Sequence, residues 1–256
     1  MPLTIDLDGH HALVTGAGRG VGRGIAEALA TAGAHVIVND LDPQRADGVA
    51  ADLREQGNSA EALPFDVTDY QGAVSALAGL DRAPDILVNN AGNAGAAEFA
   101  IAPFADTVPS DWDRYLDVNL DGVLYCTRAV LPAMIARGAG RIVTIISEAG
   151  RSGEPGLVVY SAAKAGAAGF TRALAKEVGR HGITVNNVAL GSIDHPERHA
   201  DPEQEARFRR QVRRYLLGRL GTPEDVAGTV VFLVSPLASW VTGQTIPLNG
   251  GYAINQ

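Results

Sequence analysis

His11-Ala12-Leu13-Val14-Thr15-Gly16-Ala17-Gly18-Arg19-Gly20-Val21-Gly22 is the stretch that decides how this chain folds. Its first five residues read as a short buried strand, and Val21 to Thr31 reads as an Ala-rich helix. Between them glycine recurs at every second position, which lets the backbone turn sharply and approach a ligand with no Cβ in the way. The helix that follows directs its free N–H groups and positive end at the turn, an arrangement that stabilises an anion such as a pyrophosphate. A bare strand-to-helix corner does not need so many glycines. The spacing is Thr-Gly-x-x-x-Gly-x-Gly rather than Gly-x-Gly-x-x-Gly.

Short apolar runs recur downstream at Val36 to Asn39, Ile86 to Asn89, Ile142 to Ser147 and Thr184 to Val188. Helix-length segments lie among them, at Pro43 to Gln56, Trp112 to Arg137 and Tyr160 to Arg180. That alternation predicts an α/β fold, a parallel sheet covered by helices on both faces and joined by right-handed crossovers. Ligands of such sheets bind beyond the carboxyl ends of the strands. No repeat or low-complexity linker divides the 256 residues, so a single domain over 1–256 is expected.

Composition removes several classes of partner. Lys and Arg number 21 against 29 Asp and Glu, a net charge of −8, which disfavours non-specific attraction to nucleic acid or an anionic membrane and leaves a small molecule as the expected partner. One cysteine, Cys126, excludes an intrachain disulfide and a Cys-based zinc site and fits a reducing compartment, so a cytoplasmic location is expected. The six histidines show no ligand spacing, and no metal is expected. The acidic run Met1 to Asp8 lacks the apolar core of a secretory signal, and no apolar run is long enough to span a bilayer.

The second strand candidate ends in Asp40, eighteen residues after Gly22. A carboxylate there accepts bonds from both adenosine ribose hydroxyls and repels a 2′-phosphate. Arg19, a cation inside the glycine turn, argues the other way because it can meet that phosphate. The carboxylate penalises the wrong cofactor directly, so NAD is expected over NADP; a turn or capping role for Asp40 ahead of Pro43 stays open. Farther along, Tyr160 and Lys164 in Tyr-Ser-Ala-Ala-Lys share a helical face, and Ser147 stands thirteen residues before Tyr160 at a strand end. Tyrosine ordinarily loses its proton near pH ~10, and an ammonium beside it is a means of lowering that value for proton transfer.

With these motifs in this order, the chain resembles the short-chain dehydrogenase/reductase family along essentially its whole length. Thr15-Gly16-x-x-x-Gly20-x-Gly22 is similar to the family's cofactor turn, Asp66-Val67 to its adenine-contacting pair, and Asn89-Asn90-Ala91-Gly92 to the loop after its fourth strand. Asn119, Ser147, Tyr160 and Lys164 match its catalytic tetrad. The resemblance implies a single-domain Rossmann-type doubly wound sheet and a hydride transfer between nicotinamide C4 and a secondary alcohol or its ketone. It also implies a homotetramer built on the Gly- and Ala-rich Tyr160 helix and the tail from Thr242 to Tyr252. Cofactor contacts are implied for Gly16, Arg19, Gly20, Val21, Gly22, Asp40, Asp66, Val67, Asn90, Ala91, Gly92, Tyr160, Lys164, Gly191 and Ile193. By the same resemblance Tyr160 exchanges a proton with the substrate oxygen and Ser147 holds that oxygen. Lys164, with help from the positive nicotinamide ring, lowers the Tyr160 pKa and also bonds the nicotinamide ribose, and Asn119 holds a water that links Lys164 to solvent.

One segment departs from the family pattern. Where many members carry Pro-Gly and then a threonine, this chain reads Leu190-Gly191-Ser192-Ile193-Asp194-His195. Leu190 frees the backbone from proline's fixed φ, His195 replaces a hydroxyl donor and otherwise reads as a surface-loop residue, and Ser192 is placed to compensate. The stretch from Ser192 to Leu217 is expected to cover the substrate. It carries Arg198, Arg207, Arg209, Arg210, Arg213 and Arg214, while Phe208, Val212, Tyr215 and Leu216 recur at helical spacing and are expected to face inward. The arginines then form a solvated face or, in the sharper reading, bind phosphates of a CoA or acyl-carrier thioester. Glu148 and Glu154-Pro155-Gly156-Leu157 are expected to line the pocket, and Phe99, Phe104 and Leu157 favour a bulky apolar alcohol or ketone over a free sugar. The alternatives are a 3-ketoacyl thioester reductase, a dinucleotide-sensing protein that has lost its chemistry, and an epimerase or dehydratase. The second would carry a broken tetrad; the third has a Thr-Gly-x-x-Gly-x-x-Gly turn and a longer chain.

Overall fold

The computed structural model describes residues 4–92, 101–194 and 208–254. The strands are β1 His11–Val14, β2 His35–Val38, β3 Ala60–Ala62, β4 Ile86–Asn89, β5 Gly140–Ser147, β6 Ile183–Leu190 and β7 Thr245–Leu248. They form one seven-stranded sheet in the order β3-β2-β1-β4-β5-β6-β7, with every neighbouring pair parallel. The helices are α1 Gly20–Thr31, α2 Pro43–Glu55, α3 Tyr70–Ala78, α4 Asp113–Leu116, α5 Gly122–Arg137, α6 Ala149–Ser152, α7 Val158–Val178 and α8 Pro223–Val234.

Alternation along the strands sends side chains to opposite faces, and here both faces are apolar. Val14, Val36, Val38, Ile86 and Val88 pack on one face with Ile25 of α1, Val49 of α2 and Val226 of α8. Leu13, Ile37, Leu87 and Ile142 pack on the other with Ala73 of α3, Cys126 of α5 and Leu174 of α7. Parallel strands joined by helical crossovers are buried in this way on both sides, which accounts for their nearly unbroken apolar runs. Among the described residues no helix is long and apolar enough to cross a membrane.

The elements differ from the sequence expectation at identifiable places. β3 is Ala-Glu-Ala, with no β-branched or aromatic residue to announce it, and exists because Val36, Ile37 and Val38 pair with it. α8 was legible in principle: Thr222 caps it, its hydroxyl accepting from Asp225 N while the Asp225 carboxylate accepts from Thr222 N, and Pro223 fills the first turn. The helix expected from Trp112 to Arg137 is broken in character by a π-helical segment, Asp117–Asp121. Residues 208–212 are helical but the chain then turns, so helical spacing no longer applies. Tyr215 is buried as expected, whereas Leu216 is 74% exposed. Arg209, Arg210, Arg213 and Arg214 are exposed. Phe99, His195, Arg198 and Arg207 lie outside the described residues.

β1 lies between β2 and β4, so the crossover leaving β1 and the strand closing on its other side part at its carboxyl end, and a crevice opens there. Thr15, at that point, is almost fully buried, and its hydroxyl accepts from both Asn90 N and Ala91 N at 3.0 Å. Asn90 Nδ2 donates in return to the carbonyls of Thr15 and Gly16, at 2.9 and 3.1 Å. Thr15→Val keeps the shape and strips two backbone N–H groups of their acceptor. We expect a loss of about 2–4 kcal/mol of stability in urea unfolding; a loss under ~0.5 kcal/mol would show that this clamp does not hold the two loops together.

Candidate active site

The glycine turn is built for close approach. Gly16 and Gly20 have positive φ, +62° and +56°. A Cβ on Gly22 would collide with the Gly16 carbonyl oxygen and Asn90 Nδ2, and one on Gly18 would come within 2.6 Å of both the Asp40 carboxylate and Arg45 Cβ. α1 begins at Gly20 without a capping side chain and without an acidic residue in its first turn, so its N-terminal N–H groups and positive end face the turn uncompensated by the protein's own anions. These residues fit a dinucleotide pyrophosphate. Val21 is half-buried and packs on the core behind the turn.

Asp40 sits against this turn. It is buried, and its Oδ2 accepts from Gly18 N at 3.1 Å while Oδ1 accepts from Asp42 N at 3.0 Å. Capping of α2 falls to Asp42, whose side chain accepts from Gln44 N. Arg45 Nη1 stands 3.8 Å from Asp40 Oδ1 and Arg19 is exposed. Asp66 is exposed and its Oδ1 is engaged by Thr68 N and Oγ1, each at 2.8 Å. Val67 is buried and, with Thr15, Asn89, Ala91, Val118, Gly122 and Val123, lines a small hollow beneath the β1 and β4 ends.

The four residues matched to the tetrad converge beyond the end of β5. Ser147 ends β5, and its Oγ accepts from Ala149 N at 3.1 Å. It stands beside the Tyr160 hydroxyl and draws the tyrosine's pKa downward. Lys164 is buried one helical turn along α7 from Tyr160, and its Nζ donates to the Ile145 carbonyl at 3.0 Å. The π-helical segment carries Asn119 inward, wholly buried, with Nδ2 donating to Tyr115 O at 3.0 Å. Such segments interrupt a helix where a side chain must be redirected. Gly92 closes the group: a Cβ there would lie 3.0 Å from Asn119 Oδ1 and 3.4 Å from Lys164 Nζ.

Burial sets the electrostatics of this group: it pushes Tyr160 up to about 12, against a downward pull from Ser147. Burial also lowers Lys164 to about 8. Its Nζ lies 5.9 Å from the centre of the tyrosine ring. Desolvation disfavours the charged form of each group.

Beside Tyr160 opens a cleft of about 190 Å³ lined by Phe104, Trp112, Tyr115, Leu157 and Val158, with Asp111 and Arg114 among its polar members. Phe104 and Trp112 stack at 5.4 Å, and the Tyr115 and Tyr160 rings are 6.3 Å apart. Trp112, Tyr115 and Arg151 were not singled out in the sequence. Arg151 stands three residues after Glu148 on one helical face, a spacing that signals pairing. Its Nη1 lies 2.7 Å from Glu148 Oε1, while Glu148 Oε2 is buried with no hydrogen-bond partner among the described residues. Glu154 does not stand alone: Tyr252 Oη donates to its Oε2 at 3.0 Å, and Arg214 Nη1 lies 3.7 Å from Oε1.

Comparison with known proteins spans the whole of this arrangement. The family model described as enoyl-(acyl carrier protein) reductase matches residues 16–253. A 3-oxoacyl-[acyl-carrier-protein] reductase of Synechocystis is 40% identical over 250 residues, 94% of this chain and 95% of the relative. A gluconate 5-dehydrogenase from Burkholderia cenocepacia, solved with NADP and tartrate, superposes with a TM-score of 0.88 at 34% identity, over 97% of this chain and 98% of its own. A 3-oxoacyl-[acyl-carrier protein] reductase from Brucella melitensis with bound NAD gives a TM-score of 0.89 at 35% identity, over 98% and 94%. Matched end to end in sequence and in fold, the chain belongs to the short-chain dehydrogenase/reductase family.

Proposed function

We propose that this protein moves a hydride between a nicotinamide dinucleotide and a secondary alcohol or its ketone, with Tyr160 as the group that gives or takes the proton. The observation that carries this reading is the placement of the buried Tyr160 beside Ser147 at the carboxyl end of β5, with the buried Lys164 one helical turn along α7. The bound nicotinamide supplies or accepts the hydride. Ser147 holds the substrate oxygen next to the Tyr160 hydroxyl, a matter of positioning and of stabilising charge as it develops. Tyr160, kept protonated at neutral pH by burial, is set to donate to a carbonyl oxygen. Lys164 supplies positive charge behind it, and Asn119 is placed to hold a water that links Lys164 to solvent.

Gly16, Gly20 and Gly22 with the first turn of α1 are proposed to hold the pyrophosphate, and Asn90, Ala91, Gly92, Gly191 and Ile193 to flank the nicotinamide half. Val67 and Asp66 border the adenine side. Asp40 favours NAD, because its carboxylate already faces the turn that the adenosine ribose would lie against. The aromatic and aliphatic wall of Phe104, Trp112, Tyr115 and Leu157 favours a bulky apolar substrate. A second reading, reduction of a 3-ketoacyl thioester, is supported by the Synechocystis relative and by the exposed Arg209, Arg210 and Arg213. A homotetramer is part of the proposal: Ala162 and Ala165 are exposed on α7 and Gly169 is half-buried, a small-residue face that lets two copies approach closely.

Three measurements test this reading. Tyr160→Phe is expected to lower kcat by roughly 10²–10⁴-fold while the dinucleotide still binds; near-normal turnover would remove Tyr160 from the chemistry. Steady-state kinetics with both cofactors should favour NAD(H) by ~10-fold or more, and Asp40→Ala should erase the difference. A tenfold preference for NADPH would overturn the assignment of Asp40. Lys164 is charged below its lowered pKa of about 8 and neutral above it. For ketone reduction, kcat/KM for the reduced cofactor, which reports the free enzyme, should therefore be level in acid and fall as pH rises through about 8. A profile that stays level to pH ~10 would show that the charge on Lys164 is not required.

A further inference from the structure

Tyr215 lies outside the group of residues matched to the family, yet its hydroxyl reaches the loop that leaves β6. It is buried, and its Oη accepts from Ser192 N at 2.7 Å. The run from Gly191 to Asp194 has few other backbone anchors: Gly191 N donates to Leu248 O at 3.0 Å, Gly221 N to Ser192 O at 3.1 Å and Asp194 N to Gly221 O at 2.8 Å. In that parallel bridge Ile193 is the central residue, so its own N–H and C=O point away from Gly221. Which way they point depends on how Ser192 is held, and Tyr215 supplies a side-chain acceptor for that N–H.

The tyrosine is itself tightly placed. A Cβ on Gly191 would lie 2.9 Å from its Cε1, and one on Gly250 would lie 3.3 Å from its Cδ1, so glycine at both positions lets the ring sit where it does. Its other side meets the Tyr252 ring at 5.3 Å. Tyr252 Oη donates to Glu154, six residues before Tyr160, and Arg214 Cζ lies 4.6 Å from the Tyr252 ring centre. A row of side chains thus runs from the loop preceding Tyr160, through two mutually tilted rings, to the backbone of Ser192. A hydroxyl locked in this way can hold a loop to a fixed geometry.

We propose that Tyr215 is a positioning residue for the nicotinamide half of the cofactor, acting through the Ser192 backbone on Gly191 and Ile193. The inference rests on the reading that these two residues face that half. Tyr215→Phe keeps the ring and removes the acceptor. Equilibrium binding of NADH and of 5′-AMP should then part company: the Kd for NADH rises by about 5-fold, the Kd for 5′-AMP stays within about twofold, and the thermal midpoint moves by no more than ~4 °C. In turnover the KM for NADH should rise more than kcat falls. An unchanged Kd for NADH, or equal weakening of NADH and 5′-AMP, overturns the proposal for Tyr215 while leaving the functional reading intact. A wild-type protein that binds no dinucleotide overturns the functional reading, and this one with it.

Discussion

Everything near the proposed site depends on a backbone constraint at the end of β1. The chain must leave the sheet there, reverse into α1 and still leave room for the loop after β4, which arrives from the other side. Only a turn without side chains satisfies this, because a Cβ on Gly22 would occupy the place of the Gly16 carbonyl and the Asn90 amide. Asn90 then binds both carbonyls of the turn, and the Thr15 hydroxyl binds the backbone of Asn90 and Ala91. Buried polar groups that satisfy one another in this way fix a loop as firmly as packing does. The turn, the Gly92 loop and the Lys164 side chain are held in register as a consequence.

Burial sets the electrostatic character of the cluster. A tyrosine and a lysine removed from water each retreat toward the neutral form, so Tyr160 stays protonated and Lys164 is only weakly basic. Such a pair is poised by its surroundings, and whatever positive charge approaches it will shift both groups. Ser147 is the one neighbour that already draws the tyrosine toward ionisation. The cleft beside the pair is walled by Phe104, Trp112 and Leu157, with Asp111 and Arg114 adding polar groups to its lining.

Much of this could be read along the chain. Tyr160 and Lys164 are one helical turn apart, Ser147 ends an apolar run, and the glycines of the turn alternate, all of which are local patterns. Other elements left no local trace. β3 is held by its neighbour rather than by its own residues, and the π-helical segment that carries Asn119 inward breaks no sequence rule. Leu216 continued a helical stripe in sequence but is exposed, since the helix stops before it.

The sequence by itself determined the class of fold, the order of its layers and the chemistry of the residues at the strand ends, because period, glycine spacing and side-chain type are local properties. Only the tertiary structure decided which groups meet. Burial raises the Tyr160 pKa, Asp40 faces the glycine turn while Asp42 caps the helix, and Tyr215 reaches Ser192 across twenty-three residues. Those outcomes depend on burial and on distances between segments far apart in the chain, and neither quantity exists until the sheet has formed and its helices have closed over it.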